Sequence, residues 1–399
     1  MNLKTIIKIV KRNPVLTYYS YTVRRIIYHV CLSVNAILFK VDKNKILFSN
    51  FHGKGFGCNP RAIAEELHKR RPELDLVWLC ENSDVKRSLP NYVRTVKPET
   101  LSYFYEISTS GTWVYNVQIA NGMLKRKGQI YIQTSHGDRT PKKVYYLNVG
   151  KKESDHKHAV TNDILDYGVT GSVSGEKVFR DAMGYKGKLL QFGCPRNDCL
   201  INRNADRISL ILRQLNIPEG TKLLLYAPTF RKGQEQLKCE LQIDKVLDIL
   251  ERKTSQKWIC LLRSHFHTET LEIDKINEAR YINVSKYPDM ADLLLISDML
   301  ITDYSSSSGD FCLTGRPIVL FIDEKENYAR SLLFSIDETP YMVAHNQKEL
   351  ENIVYDLDWE KARKNDEELI RFWGIYETGY SSSKVADVIL SHIDSNNLN

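Results

Sequence analysis

Short apolar runs that alternate with helical patterns constrain this chain more than any other feature of its sequence. From Lys45 onward, runs such as "KILFSN", "LDLVWLC" and "QIYIQTSH" are separated by segments such as "PRAIAEELHKRR", which begins with proline and has a helical period. Apolar runs without polar alternation are typical of strands that are buried on both faces of a parallel sheet. The pattern therefore predicts an α/β fold whose parallel sheets are covered by helices.

A second series of the same kind begins at "KLLLYAPTFRKG" and continues through "KWICLLRSH", "DMLITDYSS" and "PIVLFID". Two series predict two Rossmann-like, doubly wound domains, and 399 residues are enough for both. We expect a basic helical segment over 1–45, an N-terminal domain over 46–205 and a C-terminal domain over 206–399. Open parallel sheets bind ligands beyond the carboxyl ends of their strands, so the expected site is a cleft between the domains.

The first 45 residues hold the whole excess of positive charge. They contain nine Lys and Arg residues and one acid, Asp42, which gives +8 there against +7 for the chain. Apolar residues interleave with the cations, and the longest charge-free run, "IIYHVCLSVNAILF", is shorter than the about 20 residues of a spanning helix. This pattern predicts a peripheral helix on an anionic membrane surface. The alternative is a pair of helices packed on the first domain with a solvated basic face, and no nucleic-acid recognition motif accompanies the charge.

Composition and cysteine usage indicate a folded intracellular protein. The chain is 42% hydrophobic and 26% charged, which is ordinary for a globular domain. Its eight cysteines include no Cys-x-x-Cys pair, and no cleavable signal peptide precedes them. We therefore expect reduced thiols in a protein at the cytoplasmic face of the membrane.

The segment "MLITDYSSSSGDF" places several small hydroxyl residues directly after a predicted strand. If "MLIT" is buried, the serines form the loop at its carboxyl end, where the chain turns into a helix. Backbone N–H groups at a helix start, together with hydroxyl groups, can bind phosphate oxygens. Ser305, Ser306 and Ser307 are the predicted donors. The alternative is a serine that only caps the helix.

Polar residues follow three further strands in the same way. Arg263 and His265 come directly after "ICLL", where an arginine fork and a histidine suit a phosphate group. His265 and His267 could instead bind a metal ion, although no carboxylate cluster lies beside them in the sequence. Tyr226, Pro228, Thr229 and Arg231 follow the run "KLLL".

His136 follows the strand "QIYIQ" and precedes Gly137 and Asp138. A histidine at the mouth of a cleft suits a general base, because its ordinary pKa lies near neutral pH. The alternative is a turn histidine that is hydrogen-bonded to the backbone.

Taken in order, these segments resemble the CDP-glycerol glycerophosphotransferase family of teichoic acid primases and polymerases. The matching pieces are "ILFSNFHGKGFGCNP", "QTSHG", "GCPRND", "YAPTFR", "RSH", "SDMLITDYSS" and "GRPIVLF", and they span residues 45–323. The resemblance implies a GT-B fold with the nucleotide mainly on the C-terminal domain. It also implies transfer of a polyol phosphate from CDP-glycerol or CDP-ribitol to a hydroxyl of a lipid-linked acceptor, with release of CMP.

The resemblance also assigns roles to individual residues. It implies catalytic roles for His136 and His265. It implies substrate binding by Arg263, Thr302, Asp303, Ser305, Ser306, Ser307, Tyr226, Pro228, Thr229, Arg231, Asn197 and Asp198. No protein-held metal is predicted, and Mg²⁺ is allowed but not required. Self-association into a homo-oligomer is compatible with the sequence.

One departure from the family pattern lies directly after His136. The family usually has His-Gly-Thr-Pro-Leu-Lys, whereas this chain has "HGDRTPKK", with Asp138 and Arg139 before Thr140. The departure leaves the acceptor and the exact donor open, so that an enzyme using CDP-ribitol, or one acting on a capsule rather than wall teichoic acid, fits equally well. It also leaves open a catalytically silent member that binds polymer or acts as a scaffold. A GT-B nucleotide-sugar glycosyltransferase on the same fold is a separate alternative.

Overall fold

A computed structural model describes residues 14–119, 122–137, 139–143, 162–229, 241–263, 278–322 and 332–395. Two sheets dominate it. The strands of the first sheet are β1 (Asp42–Ser49), β2 (Asp75–Leu79), β3 (Val93–Val96), β4 (Ser110–Tyr115), β5 (Ile130–Gln133), β6 (Tyr167–Thr170) and β7 (Lys188–Gln191). Those of the second are β8 (Lys222–Ala227), β9 (Trp258–Leu262), β10 (Tyr281–Asn283), β11 (Met299–Thr302), β12 (Ile318–Phe321) and β13 (Met342–Ala344).

Both sheets have the order of doubly wound folds. The first runs β3-β2-β1-β4-β5-β6-β7 and the second β10-β9-β8-β11-β12-β13. The pairings of their strands are parallel. The prediction of an α/β fold with two parallel sheets is thereby confirmed.

Helices cover the sheets, and several begin where the sequence provides a capping side chain. Asn82, Thr100, Asn204, Asp289 and Asp358 each accept a hydrogen bond from a backbone N–H of the first turn. The described α-helices are Pro14–Leu38, Cys58–Arg70, Ser83–Arg87, Leu101–Thr109, Val173–Lys177, Asp198–Asn202, Ala205–Gln214, Ile243–Thr254, Met290–Ile296, Ser307–Phe311, Gln347–Tyr355, Trp359–Trp373 and Ser381–Asp394.

The central strands carry unbroken apolar runs, such as Ile46 to Phe48 in β1 and Leu223 to Leu225 in β8, because each sheet has a core on both faces. Successive side chains of a strand point to opposite faces. In β1, Ile46 and Phe48 lie in one hydrophobic cluster and Leu47 in another. In β8, Leu223 and Leu225 lie on one face and Leu224 on the other. Each sheet is therefore buried between two layers, as its sequence pattern predicts.

The last helix, Ser381–Asp394, returns to the first sheet. Val385, Ala386 and Ile389 are fully buried in the same hydrophobic cluster as Ile46 and Phe48 of β1. At the start of this helix, Asp198 accepts hydrogen bonds from the backbone N–H groups of Ser381 (2.9 Å) and Ser382 (2.7 Å). A carboxylate at a helix N-terminus is favourable because it meets the positive end of the helix dipole. The chain thus crosses between the two halves twice.

The first described helix, Pro14–Leu38, packs one face on the first sheet. Tyr28 and Leu32 are buried in that core, where the ring of Tyr28 meets the ring of Phe104 edge-on at 4.9 Å. None of the helices within the described ranges combines the length and the apolar character that crossing a bilayer requires.

Candidate active site

His136 lies directly beyond β5, and its ring is oriented by the backbone. Its Nδ1 atom lies 2.8 Å from the carbonyl oxygen of Asn116, the residue that follows β4. A carbonyl oxygen only accepts hydrogen bonds, so Nδ1 carries the hydrogen in this contact. In the neutral ring the lone pair is then on Nε2. The contact therefore sets the tautomer in which Nε2 can accept a proton.

A network of amide side chains fixes the residues around His136. The Asn116 side chain accepts a hydrogen bond from the backbone N–H of Phe51 (2.9 Å) and donates one to Asn50 (2.7 Å). The ring of Phe51 meets the His136 ring at 5.0 Å. Ser135 has a positive φ of 54°, and its N–H donates to the Gln133 side chain at 3.0 Å. A non-glycine residue in this conformation marks a strained position, here directly before the histidine.

The serine loop, residues 303–308, follows β11 as predicted. The Ser305 hydroxyl oxygen accepts hydrogen bonds from the Ser307 N–H (3.3 Å) and the Ser307 hydroxyl (2.9 Å). The Ser308 hydroxyl donates to the Ser305 carbonyl at 2.8 Å. The short helix Ser307–Phe311 begins here and continues as a 3₁₀ turn, Cys312–Thr314. Ser305 and Ser306 stay half-exposed, whereas Ser307 is buried.

The structure brings the histidine loop, residues 134–137, into contact with the serine loop. A Cβ atom added to Gly137 would lie within 3.0 Å of the Ser306 side chain, so the two loops are closely packed here. Close by, the Thr140 hydroxyl donates to the carbonyl oxygen of Tyr304 at 3.0 Å. His136 and Ser306, which come from different sheets, therefore lie on neighbouring segments.

The ends of β8 and β11 are also joined. The Asp303 carboxylate accepts hydrogen bonds from the N–H (3.0 Å) and the hydroxyl (2.8 Å) of Thr229. The Thr302 hydroxyl donates to the carbonyl of Ala227 at 2.6 Å. Thr302 and Asp303 are buried, whereas Pro228 and Thr229 are half-buried. Thr302, Asp303 and Thr229 thus hold the two strand ends together at the edge where a ligand is expected.

Arg263 follows β9 at the same edge of the second sheet. Its guanidinium donates to the carbonyl oxygens of Tyr287 (2.8 Å) and Val284 (3.3 Å). Burial lowers the pKa of Arg263, and the nearby carboxylate of Asp289 opposes that change. An arginine keeps its proton in proteins, so this half-buried side chain brings a positive charge to the edge.

A group of charged side chains close to Arg263 links the two halves of the chain. Arg61, on the helix Cys58–Arg70, bridges Asp289 (3.3 Å) and Asp292 (2.7 Å). Desolvation raises the pKa of Asp289, whereas Arg61 and Arg207 overcome the desolvation of Asp292 and lower its pKa. This group holds the first turn of the helix Met290–Ile296 against the first half of the chain.

Three of the predicted binding residues are engaged with the protein itself. Asn197 donates to Asp310 (2.8 Å) and Glu377 (2.9 Å), and Asp198 caps the last helix as described above. Tyr226 is buried in the core of the second sheet. Their part in substrate binding stays a prediction.

Two predicted site residues, Arg231 and His265, lie outside the described residues, as do His267 and Asp138. In the described ranges, no group of three or more His, Cys, Asp or Glu side chains is arranged to hold a metal ion, and Mg²⁺ stays a prediction. The described cysteines, which are Cys31, Cys58, Cys80, Cys194, Cys199, Cys260 and Cys312, form no disulfides with one another.

Sequence reasoning missed the residues that support the site from a distance along the chain. Asn116 orients His136, and Glu377 contacts Arg139, which lies in the departure "HGDRTPKK". An asparagine after a strand and a glutamate before a helix are common in sequences. The sequence alone therefore did not indicate a role for either residue.

The fold defines a two-lobed α/β enzyme of GT-B type, in which the histidine loop of the first sheet contacts the serine loop of the second. A family model described as CDP-glycerol:poly(glycerophosphate) glycerophosphotransferase matches residues 30–391. The teichoic acid poly(glycerol phosphate) polymerase of Bacillus spizizenii is 30% identical over 404 residues, which cover 95% of this chain and 100% of that one. The teichoic acid glycerol-phosphate transferase of Staphylococcus aureus is 28% identical over 391 residues, covering 92% and 98%.

A solved structure leads to the same family. A variant of the wall teichoic acid polymerase TagF, soaked with CDPG, has a TM-score of 0.79 and 26% sequence identity, over 96% of this chain and 99% of that one. The chain therefore belongs to the CDP-glycerol:poly(glycerophosphate) glycerophosphotransferase family. It is a transferase that moves a polyol phosphate from a CDP-activated donor, and the family resemblance found in the sequence is confirmed.

Proposed function

We propose that the groove between the histidine loop and the serine loop transfers glycerol phosphate, or ribitol phosphate, to a hydroxyl of a lipid-linked teichoic-acid-type acceptor. The observation that supports the proposal is the contact of Gly137 with Ser306, because it brings the loop of His136, whose tautomer is set by the Asn116 carbonyl, next to the serine loop. CDP-glycerol is the favoured donor because the relatives above include glycerol-phosphate enzymes.

The chemistry follows from the orientation of His136. The oxygen of the acceptor hydroxyl attacks the β-phosphorus of the donor, and its proton passes to Nε2 of His136. The bond between the β-phosphorus and the bridging oxygen breaks, and CMP leaves with the bonding electrons. Positioning and electrostatic stabilisation dominate such phosphoryl transfers, so one oriented base and fixed donors to the phosphates suffice.

Residues of the second sheet are proposed to hold the donor. Arg263 supplies positive charge, and the serine loop supplies hydroxyl and N–H donors to the diphosphate. Thr302, Asp303 and Thr229 fix the strand ends that carry these groups. His265 and Arg231 are proposed to complete the donor side, as the family pattern implies. Any Mg²⁺ would accompany the diphosphate, where it would offset negative charge.

Release of CMP from CDP-glycerol, in the presence of a lipid-linked acceptor analogue, tests the proposal. We expect His136→Ala to reduce kcat by about 10²- to 10⁴-fold, because general base catalysis is worth that much. His68→Ala is the matched control, since His68 lies on the helix Cys58–Arg70 of the first lobe and stacks on Tyr92 at 3.8 Å. It should release CMP at the wild-type rate.

Two outcomes would contradict the proposal. One is His136→Ala protein that folds normally and releases CMP as fast as the wild type. The other is wild-type protein that releases no CMP from either CDP-polyol. Stronger thermal stabilisation by a UDP- or GDP-sugar than by CDP-glycerol would favour a glycosyltransferase instead, since a ligand of the folded state raises its melting temperature.

We further propose that the helix Pro14–Leu38 lies on an anionic membrane surface. Its exposed apolar side chains recur every three or four residues, so they share an arc of about 120° on a helix of 3.6 residues per turn. This apolar stripe consists of Val23, Ile26, Ile27, Val30, Val34, Ile37 and Leu38, which are 48–84% exposed.

The cations of this segment lie off the stripe. Lys40 is exposed two residues beyond the end of the helix, whereas Arg25 lies about 160° around the helix from the middle of the stripe and close to Gly122. Arg24 pairs with Glu99, and Lys45 is buried 3.1 Å from Glu106, so Lys45 lies outside the membrane surface proposed here. The exposed apolar stripe itself therefore supports the proposal, since such a stripe is typical of helices that lie in the membrane interface. A lipid-linked acceptor would be reached from that position.

A further inference from the structure

A buried ion cluster lies directly behind the contact between the two loops. It consists of Arg139, Arg196, Asn197, Asp310 and Glu377. The side chains of Arg139 and Glu377 are fully buried, and those of Arg196 and Asp310 are 7% and 8% exposed. Two guanidinium groups meet two carboxylates, so the formal charges of the cluster balance. Buried charges are tolerated only when they are paired in this way.

Arg139 is the member that joins the others across the lobes. Its guanidinium lies 3.1 Å from the Asp310 carboxylate and also pairs with Glu377. Asp310 accepts two further hydrogen bonds from Arg196, each of 3.0 Å. Burial raises the pKa of Glu377, and the charge of Arg139 opposes that rise.

The cluster connects four separate segments of the chain. Arg139 lies three residues after His136, and Asp310 lies in the helix that follows the serine loop. Arg196 and Asn197 follow β7, and Glu377 lies between the last two helices. The loop with the base and the loop with the hydroxyl donors are therefore tied to one charged centre.

Glycines make room for Arg139 on both sides. A Cβ atom on Gly309 would overlap the Cβ of Arg139. A Cβ atom on Gly171 would lie 2.5 Å from the Arg139 guanidinium and 2.7 Å from Glu377. Real Cβ atoms do not approach other atoms so closely. Gly309 belongs to the serine helix and Gly171 follows β6, so both lobes are shaped around this side chain.

We propose that Arg139 is a positioning residue for the transfer reaction. By holding Asp310 and Glu377, it fixes the distance between His136 and the serine loop, and so between the base and the donor phosphates. The expected loss of rate rests on the proposed function. The expected effect on the two loops rests only on the contacts described above. Small displacements of a catalytic group are costly in rate, about 10²-fold for 1 Å.

The test separates positioning from simple stability. In Arg139→Met, the two carboxylates of Asp310 and Glu377 are balanced by a single cation, Arg196. We therefore expect a clear loss of thermal stability. The double variant Arg139→Met/Glu377→Gln restores the charge balance, and most of the stability should return. Its kcat for CMP release should nevertheless be about 10- to 100-fold below the wild type, with an unchanged KM for CDP-glycerol. Arg139→Lys should recover part of kcat.

The matched control is Lys45→Met/Glu106→Gln, which neutralises another buried pair. Lys45 and Glu106 are each 7% exposed. Lys45 lies in the middle of β1, and Glu106 lies in the helix Leu101–Thr109. This control should lose stability to a similar extent and keep kcat. A charge-balanced Arg139 variant that is stable and has the kcat of the wild type would overturn the inference.

Hydrogen exchange without substrate gives a readout that does not depend on the proposed reaction. In Arg139→Met/Glu377→Gln, residues 134–137 and 303–308 should exchange faster than in the wild type, and in the control they should not. Unchanged exchange in both loops would overturn the inference even if the wild type releases no CMP. Faster exchange with an inactive wild type would uphold the coupling of the loops and refute only the proposed reaction.

Discussion

Asp366 is a carboxylic acid buried behind the serine loop, and its titration should control how stability depends on pH. It lies on the helix Trp359–Trp373, is 3% exposed and accepts a hydrogen bond from the backbone N–H of Arg316. Its Oδ2 atom has no hydrogen-bond partner within the described part of the chain. Burial raises the pKa of Asp366 to about 8, and the bond from Arg316 only partly opposes this rise.

The direction of the effect follows from proton binding. Between pH values of about 4 and 8 the folded protein keeps the Asp366 proton, whereas the unfolded chain, with an ordinary pKa of about 3.9, has lost it. Stability contributed by this group is therefore complete below pH of about 4 and is lost as pH rises to about 8. At about 1.4 kcal/mol per pH unit, the loss over this range comes to about 6 kcal/mol.

Urea denaturation at pH of about 6 and about 9, followed by tryptophan fluorescence, measures the part of this loss that falls between pH of about 6 and 8, which is about 3 kcal/mol. Asp366→Asn keeps a neutral side chain of similar shape, so its free energy of unfolding should change less between the two pH values. At the higher pH it should exceed that of the wild type. Glu367→Gln is the matched control, because Glu367 is the exposed neighbour on the same helix, and its pH dependence should equal that of the wild type. An equal pH dependence of Asp366→Asn and the wild type would refute the reasoning.

Two further predictions concern the donor side and the membrane. Asp303→Ala removes the acceptor of both Thr229 hydrogen bonds, so we expect a loss of about 2–4 kcal/mol in unfolding free energy and weaker stabilisation by CDP-glycerol. Wild-type stability and ligand response in this variant would contradict the role given to the strand ends. Replacing Ile26, Val30 and Ile37 of the apolar stripe with Ser should abolish sedimentation with anionic phospholipid vesicles, while CMP release with a water-soluble acceptor analogue stays unchanged. Undiminished sedimentation would exclude the stripe as the membrane contact.

The strands of the two sheets, and the polar residues that follow them, could be predicted because both depend on local sequence patterns. Ile46, Leu47 and Phe48 form an unbroken apolar run, and the structure buries all three. The helix Ala205–Gln214 was not predicted, although its apolar residues Ile208, Ile211 and Leu212 recur at helical spacing and pack on the core of the second sheet. The helix predicted after the serines exists. It begins at Ser307 and becomes a 3₁₀ turn at Cys312.

Contacts between distant segments could not be predicted in the same way. His136 was singled out because it follows a strand, but its tautomer depends on the carbonyl of Asn116, 20 residues away. The ends of parallel strands meet at one edge of a sheet, so the sequence indicates which loops are neighbours. Which atoms touch depends on register and side-chain packing, and these are set by the whole core.

The departure "HGDRTPKK" illustrates this limit most clearly. In the sequence, Arg139 disturbs the family pattern directly after the proposed base and suggests a damaged site. In the structure, the same residue is fully buried, paired with Asp310 and Glu377, and enclosed by Gly171 and Gly309. An arginine that merely interrupted a loop would turn to solvent, because burying an unpaired charge is costly. The departure is therefore accommodated by partners in both lobes, which favours an active transferase over a silent member of the family.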